Sequence, residues 1–354
     1  MRGRWLVTGM VALGVVLALV AAKARFGRGA TLPIQPGSIL LITVGEGALG
    51  LGPFESSAVR FPAAHGVSSE LAASLAALAT SRMPREVGVV RDGDRLAPGV
   101  LTLAEQLQRL RFTTALFCSS RLSFRESGLG RGAALLFEEG GDPATVATRA
   151  ANWLIAQERD APALAWLHVD AWPAATPPTF LELLASGPLR DRLVIASLEL
   201  ESRATPRLAL RVPGDLIGHA PDPREVSLLD IAPTLCELYG VPVPSGWMEP
   251  FLLAPRTRAA RFFAFAEPLP APDQDADAVT LLAGRFAYRC DPRATPAESV
   301  APRRAAQPGD PPLAASGAAG DDERIRAELR RLLESAFHWR VDASGAARWP
   351  AAPR

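Results

Sequence analysis

Between Ser38 and Gly240 short apolar runs alternate with helical stretches, and this order constrains the fold more than any other feature. Ile39 to Ile42 are strand-forming and run through Thr43-Val44 into a break at Gly45-Glu46-Gly47, as a buried strand does at its active edge. "SSELAASLAALATS" is then a small-residue helix, "LTLAEQLQRLRF" a helix with Leu103, Leu107 and Leu110 on one stripe, and "TTALFCS" a strand. Helix "ATVATRAANWLIAQERD", strand "ALAWLHVD", helix "TFLELLAS" and strands "RLVIASLEL" and "RLALRVPG" follow. "VSLLDIAPTLCELYG" has Ser227 as an N-cap and stops at Gly240, with Pro242 and Pro244 behind it. Repeated βα units predict an α/β fold with a mainly parallel sheet and helices on both faces.

From about Pro255 the pattern changes. "ARFFAFAEP" and "AVTLLAGRFAYRC" read as antiparallel strands of a smaller C-terminal sheet, and "DDERIRAELRRLLESAF" as a closing amphipathic helix. The expected organisation is an N-terminal segment to residue 28, a linker over 29–37, a core over 38–254 and a subdomain over 255–340. A flexible loop is expected at 292–320 and a tail at 341–354.

Trp5 to Ala22 carry no charge, with Arg2 and Arg4 before them and Lys23, Arg25 and Arg28 after. That run is at the short end of what spans a bilayer and longer than a signal-peptide core of about 7–15 residues. The reading preferred is an uncleaved signal-anchor holding the globular part outside the cytoplasm, on the periplasmic side. Cleavage, and hence secretion, comes second, and a buried helix third. The formal net charge of +1 and the scattered arginines exclude a nucleic-acid partner. The three cysteines, Cys118, Cys236 and Cys290, lack zinc-ligand spacing and cannot form a complete disulfide set. Cys118 and Cys236 read as small buried hydrophobes.

The order of these pieces resembles the sulfatase branch of the alkaline phosphatase superfamily. "ILLITV" is similar to that family's first strand, and "AVRFPAAHGVSSELAASLAALATSRMPREVGV" to its nucleophile helix. "VSLLDIAPTLCELYGVPVP" matches the helix that closes the catalytic domain, and "RFFAFAEP…AVTLLAGRFAYRC" the smaller sheet. The resemblance implies a divalent cation held at strand ends and a metal-activated nucleophile. At the positions that match, those groups are replaced. The first metal-binding Asp falls on Gly45, and the nucleophile on Leu71, with Leu75 at the Arg of its motif. The last metal pair reads Leu198 and Glu199, and the second His of the family's "H-x-x-D-P-H" loop is Trp172. A segment that normally carries another catalytic His or Lys is missing after Glu201. The resemblance therefore implies a pseudoenzyme that needs no cofactor.

The polar residues left at these points are Glu46, Ser68, Ser69, His168, Asp170, Glu199 and Glu201. Glu199 and Glu201 share a strand face and read as solvated acids, with new metal ligands the alternative. His168 and Asp170 likewise share a face and read as a hydrogen-bonded pair, with proton transfer or ligation the alternative. If all of them converge, the chain is an active ester hydrolase or transferase on sulfate or phosphate esters, using Ca, Mg, Mn or Zn. Otherwise it binds a sulfated or phosphorylated glycan, partners another protein or serves as a structural module, tethered to the membrane through its N-terminal segment. Arg82, Arg85, Arg111 and Arg121 are possible anion contacts, though scattered surface arginines are the plainer reading. His65 is expected in a loop, His338 in the terminal helix, and "GLGRG" at a surface turn.

Overall fold

The computed structural model describes residues 37–46, 53–138, 141–157, 162–172, 178–185, 187–190, 192–198, 200, 206–213, 220–248, 252, 261–269, 276–283, 286–302 and 319–349. The apolar N-terminal run, linker residues 29–36, Glu199 and Glu201 lie outside these residues. Among the described residues no helix is long and apolar enough to cross a membrane.

The strands are β1 (Ile39–Glu46), β2 (Val59–Phe61), β3 (Ala64–His65), β4 (Thr113–Ser119), β5 (Leu135–Phe137), β6 (Ala163–Ala171), β7 (Leu193–Leu198), β8 (Arg207–Arg211) and β9 (Val226–Ser227), then β10 (Phe262–Pro268), β11 (Ala276–Ala283), β12 (Phe286–Cys290), β13 (Glu298–Pro302), β14 (Arg340–Val341) and β15 (Ala347–Arg348). The main helices are α1 (Leu71–Thr80), α2 (Leu103–Gln108), α3 (Pro143–Ala156), α4 (Pro178–Ala185), α5 (Ile231–Leu238) and α6 (Ala319–Phe337).

The main sheet has the order β2-β8-β7-β1-β6-β4-β5. β7, β1, β6, β4 and β5 are parallel, while β8 and β2 extend the sheet antiparallel. The central strands are buried on both faces, as covered parallel sheets are, and strand parity sorts their side chains into two cores. Ile39, Leu41, Leu116, Trp166 and Ile195 pack toward α1 and α5. Leu40, Ile42, Phe117, Leu167 and Val194 pack toward α3 and α4. Helix α1 is buried along its whole length, which its alanines allow at close approach. The start of "VSLLDIAPTL" forms a capping box between Ser227 and Asp230, although the first turn, Leu228–Asp230, is a 3-10 helix.

The C-terminal sheet has the order β13-β12-β11-β15-β14, with β10 also on β11. Two buried acids tie it to the core. Asp277 takes a bidentate pair from Arg85 at 2.7 and 2.9 Å and the Trp339 indole N–H at 2.9 Å. Asp230 takes both terminal nitrogens of Arg261 at 2.6 Å. Arg85 is thus a structural residue, not an anion contact.

The C-terminal region corrects several expectations. Residues 298–302, expected within a flexible loop, form β13 on β12, secured by Tyr288 donating to Glu298 at 2.7 Å. Residues 340–348 include two short strands instead of a tail, with Trp349 edge-on to the buried Trp339. His338 follows α6 in the left-handed region at φ 62°. His65, expected in a loop, pairs with Ser227 in a parallel bridge, lies 3.0 Å from Glu225 and stacks on Phe263.

Candidate functional site

Parity also decides what reaches the C-terminal edge of the sheet on the α1 side. Odd residues of β1 and even residues of β4 and β6 share that face. Thr43, His168 and Cys118 stand side by side in the register, with Ser197 of β7 on the other flank of Thr43. One step further lie Gly45, Asp170 and Ser120.

A directed hydrogen-bond chain runs through these residues. The Trp166 indole N–H donates to Thr43 Oγ1 at 2.9 Å, and Thr43 Oγ1 lies 3.0 Å from His168 Nδ1. His168 Nε2 is 3.3 Å from Asp170 Oδ1. With a proton on Nε2, every member is satisfied: Thr43 donates to Nδ1 and His168 donates to the carboxylate. Asp170 also accepts from Ser120 Oγ at 2.5 Å and from the Arg121 main-chain N–H at 2.5 Å. Burial pushes the Asp170 pKa up, but the bonds from His168, Arg121 and Ser120 outweigh it and hold the carboxyl below its ordinary range. His168 is fully buried, with Phe124 beside its ring.

Next to this chain the edge is apolar. An ideal Cβ built on Gly45 would lie 2.6 Å from the Asp170 carbonyl oxygen and 3.3 Å from Leu71 Cδ2. Leu71 therefore borders the space that a Cβ on Gly45 would take, and no side chain fits at Gly45 unless the backbone moves. Leu71 is 1% exposed at the start of α1, and Leu75 lies one turn on in the same core. The N-terminal N–H of Ala72 is taken by Asp92 Oδ1 at 3.3 Å, and the other oxygen of Asp92 faces Arg121 Nε at 3.3 Å.

The remaining candidates do not join this cluster. Ser68 and Ser69 continue the main-chain pairing onto β10 through Ala266, and Ser68 Oγ accepts the Glu70 N–H at 3.2 Å. Ser68 is 1% exposed, with its hydroxyl committed to the turn that enters α1. Glu46 is exposed at the end of β1, where its carbonyl accepts the Trp172 N–H at 3.4 Å. Trp172 is buried against Phe180, and Trp166 belongs to the core. Leu198 ends β7, opposite Arg207. The three thiols are buried and held protonated: burial raises Cys118, with Glu138 and Asp170 adding to it, and pushes Cys236 and Cys290 up to about 12.

Thr43, Asp92, Cys118, Ser120 and Arg121 were not singled out as parts of this edge. Counting two residues on from Cys118 and back from Gly45 reaches Ser120 and Thr43, but nothing in the sequence brings the loop residue Asp92 to α1.

A metal of the kind the fold implies does not fit the described residues. At its matching positions stand Gly45, with no room for a Cβ, and Leu198, which has no ligating atom, and no three His, Cys, Asp or Glu among the described residues group closely enough to hold an ion.

No protein-family profile and no curated protein matches the chain in sequence. Solved structures do match it. A 2-O GAG sulfatase superposes with a TM-score of 0.64 at 14% identity, over 86% of this chain and 92% of that one. The phosphonate monoester hydrolase of Agrobacterium radiobacter gives 0.58 at 14% identity, over 89% and 100%. Its counterpart from Silicibacter pomeroyi gives 0.57 at 14% identity, over 90% and 100%. With its parallel sheet, smaller antiparallel sheet and terminal helix, the chain has the fold of the sulfatases and phosphonate monoester hydrolases of the alkaline phosphatase superfamily.

Proposed function

We propose that this is a catalytically inactive sulfatase-fold protein with a binding or scaffolding role, tethered to a membrane by its N-terminal apolar run and facing outward. The observation that carries the proposal is the closure of the edge at Gly45, where a Cβ would meet the Asp170 carbonyl oxygen and Leu71. A sulfate or phosphate ester is already anionic and repels an attacking oxyanion, so its hydrolysis calls for a cation and an activated nucleophile together. At these two positions the chain offers an apolar plug. The His168 imidazole at this edge is fully buried and spends both ring nitrogens within the protein.

A second reading, an ester hydrolase or transferase with a rebuilt metal site, draws support from the ordered His168–Asp170 pair. One experiment separates the two. The full chain is assayed against 4-nitrophenyl sulfate, 4-nitrophenyl phosphate and a phenylphosphonate ester, with EDTA and then with Ca²⁺, Mg²⁺, Mn²⁺ or Zn²⁺. Thermal unfolding is followed in parallel. The expected result is no turnover and no saturable shift. A cation at 100 times its dissociation constant would add about 2.7 kcal/mol of stability. Such a shift, with turnover lost in His168→Ala, would establish the second reading.

A further inference from the structure

A cleft of about 760 Å³ opens far from the closed edge, between α2, the loop at 99–101 and the turn after α5. Arg82, on its wall, follows the C-terminus of α1, whereas Leu71 starts that helix; ten residues separate the two ends by about 15 Å. The volume falls within the range of small-ligand sites, about 300–1,000 Å³.

The walls are rich in donors. Arg109 is exposed and makes no side-chain hydrogen bond or ion pair among the described residues. Arg82 uses Nε on Glu86 at 3.2 Å, and its two terminal nitrogens have no partner among the described residues. Arg131 gives one terminal nitrogen to the Val100 carbonyl, while its Nε is buried with no acceptor; Glu105 Oε1, at 3.7 Å, is beyond hydrogen-bond reach. A second wall runs along 242–247, where two of the main-chain carbonyls are already taken. Pro242 and Pro244 have no N–H, the Pro242 carbonyl is taken by Gln106 Nε2 at 3.0 Å, and the Pro244 carbonyl by the Trp247 N–H at 3.2 Å. That wall offers instead proline rings and the half-buried indole of Trp247.

Guanidinium donors and apolar rings lining one cleft suit a ligand that brings its own acid groups on a ring with C–H faces. We propose that this cleft binds an acidic oligosaccharide, with Arg82, Arg109 and Arg131 on its carboxylates or sulfates and Trp247 against a sugar ring. The site is separate from the closed edge and does not depend on whether that edge is active.

The test is calorimetric titration of the full chain with a heparin-derived tetrasaccharide and a hyaluronan tetrasaccharide, the second bearing carboxylates only. Maltotetraose, inorganic sulfate and tetraglutamate are the comparators. At least one acidic tetrasaccharide is expected to bind, ten times or more tighter than any comparator, and Arg109→Ala and Arg82→Ala to weaken it about tenfold each. Both side chains are partly or fully exposed, so these variants keep the fold. Arg121→Ala, at the closed edge, should leave binding unchanged. Failure of both acidic sugars to bind, equal or tighter binding of tetraglutamate, or a loss in Arg121→Ala with none in Arg109→Ala would each overturn the proposal.

Discussion

Gly45→Ala is the sharpest probe of the closed edge. Gly45 lies in β1 at a backbone conformation any residue can adopt, so alanine there should stabilise by about 0.4–1 kcal/mol through the unfolded chain alone. Against this stands a new Cβ at 2.6 Å from the Asp170 carbonyl oxygen, a main-chain atom in the neighbouring strand that cannot rotate away. Overpacking of this kind costs about 1–3 kcal/mol, and the rigidity of two central parallel strands places it at the upper end. The net expectation is a loss of about 2 kcal/mol. Leu71→Ala should lose about 2–5 kcal/mol through transfer and cavity terms. In the double variant the Leu71 contact is gone but the Asp170 contact stays, so the losses should add to less than their sum. Gly45→Asp, which introduces the acid that the family resemblance implies at this position, should lose more than Gly45→Ala, because it adds a buried charge to the clash. Equilibrium urea unfolding measures all four. A stabilising Gly45→Ala, with Leu71→Ala costing under about 1 kcal/mol, would refute the plug.

Thr43→Val should cost about 1–3 kcal/mol in urea unfolding, since it leaves the buried Trp166 N–H and His168 Nδ1 without their shared partner. Asp170 has a folded-state pKa below the ordinary 3.8. Its stabilisation is therefore present above that value and lost as pH falls through the lower folded one, so Asp170→Asn should flatten the acid limb of stability below pH 4 and change its slope little near neutrality. Arg85→Met should cost about 3–5 kcal/mol, because Asp277 would stay buried and charged. The double variant Arg85→Met/Asp277→Leu should recover much of that, short of the acceptor lost to Trp339, and thermal unfolding of the three proteins checks it.

The core was legible because its signal is dense. Repeated apolar runs at strand length, the capping box at Ser227 and the helix of "DIAPTL" all carry local chemistry that agrees with the fold. Counting along the motifs puts Gly45 and Leu71 at related positions, and in the structure Leu71 borders the space a side chain at Gly45 would take. What escaped was non-local or short. β14 and β15 are two residues each, inside "RVDASGAARW", too brief for alternation to register. β13 was hidden by neighbouring prolines. Asp92 comes to α1 from a turn, and His65 was read as a loop residue because two residues give no period. Which of four scattered arginines would be structural was equally hidden: Arg85 is committed to an acid 192 positions away.

On the proposed reading, the closed edge accounts for a fold kept without the chemistry its shape suggests. An open α/β sheet ends its strands in a crevice, where polar groups normally wait for a ligand. Here the crevice is filled from within. Leu71 moves into the space beside Gly45 and adds about 1.5–3 kcal/mol of burial where a charged centre would otherwise demand solvation or an ion. Trp166, Thr43, His168, Asp170 and Ser120 satisfy one another in sequence, so none of these five needs an outside partner. The ion pairs of Arg121 with Asp92 and Asp170 add little, because its side chain is 46% exposed, and pairs of that kind contribute about 0–1 kcal/mol. The main-chain N–H of Arg121 on Asp170 is the stronger link. Selection for binding elsewhere on the surface would then keep the scaffold, while this edge is free to remain sealed.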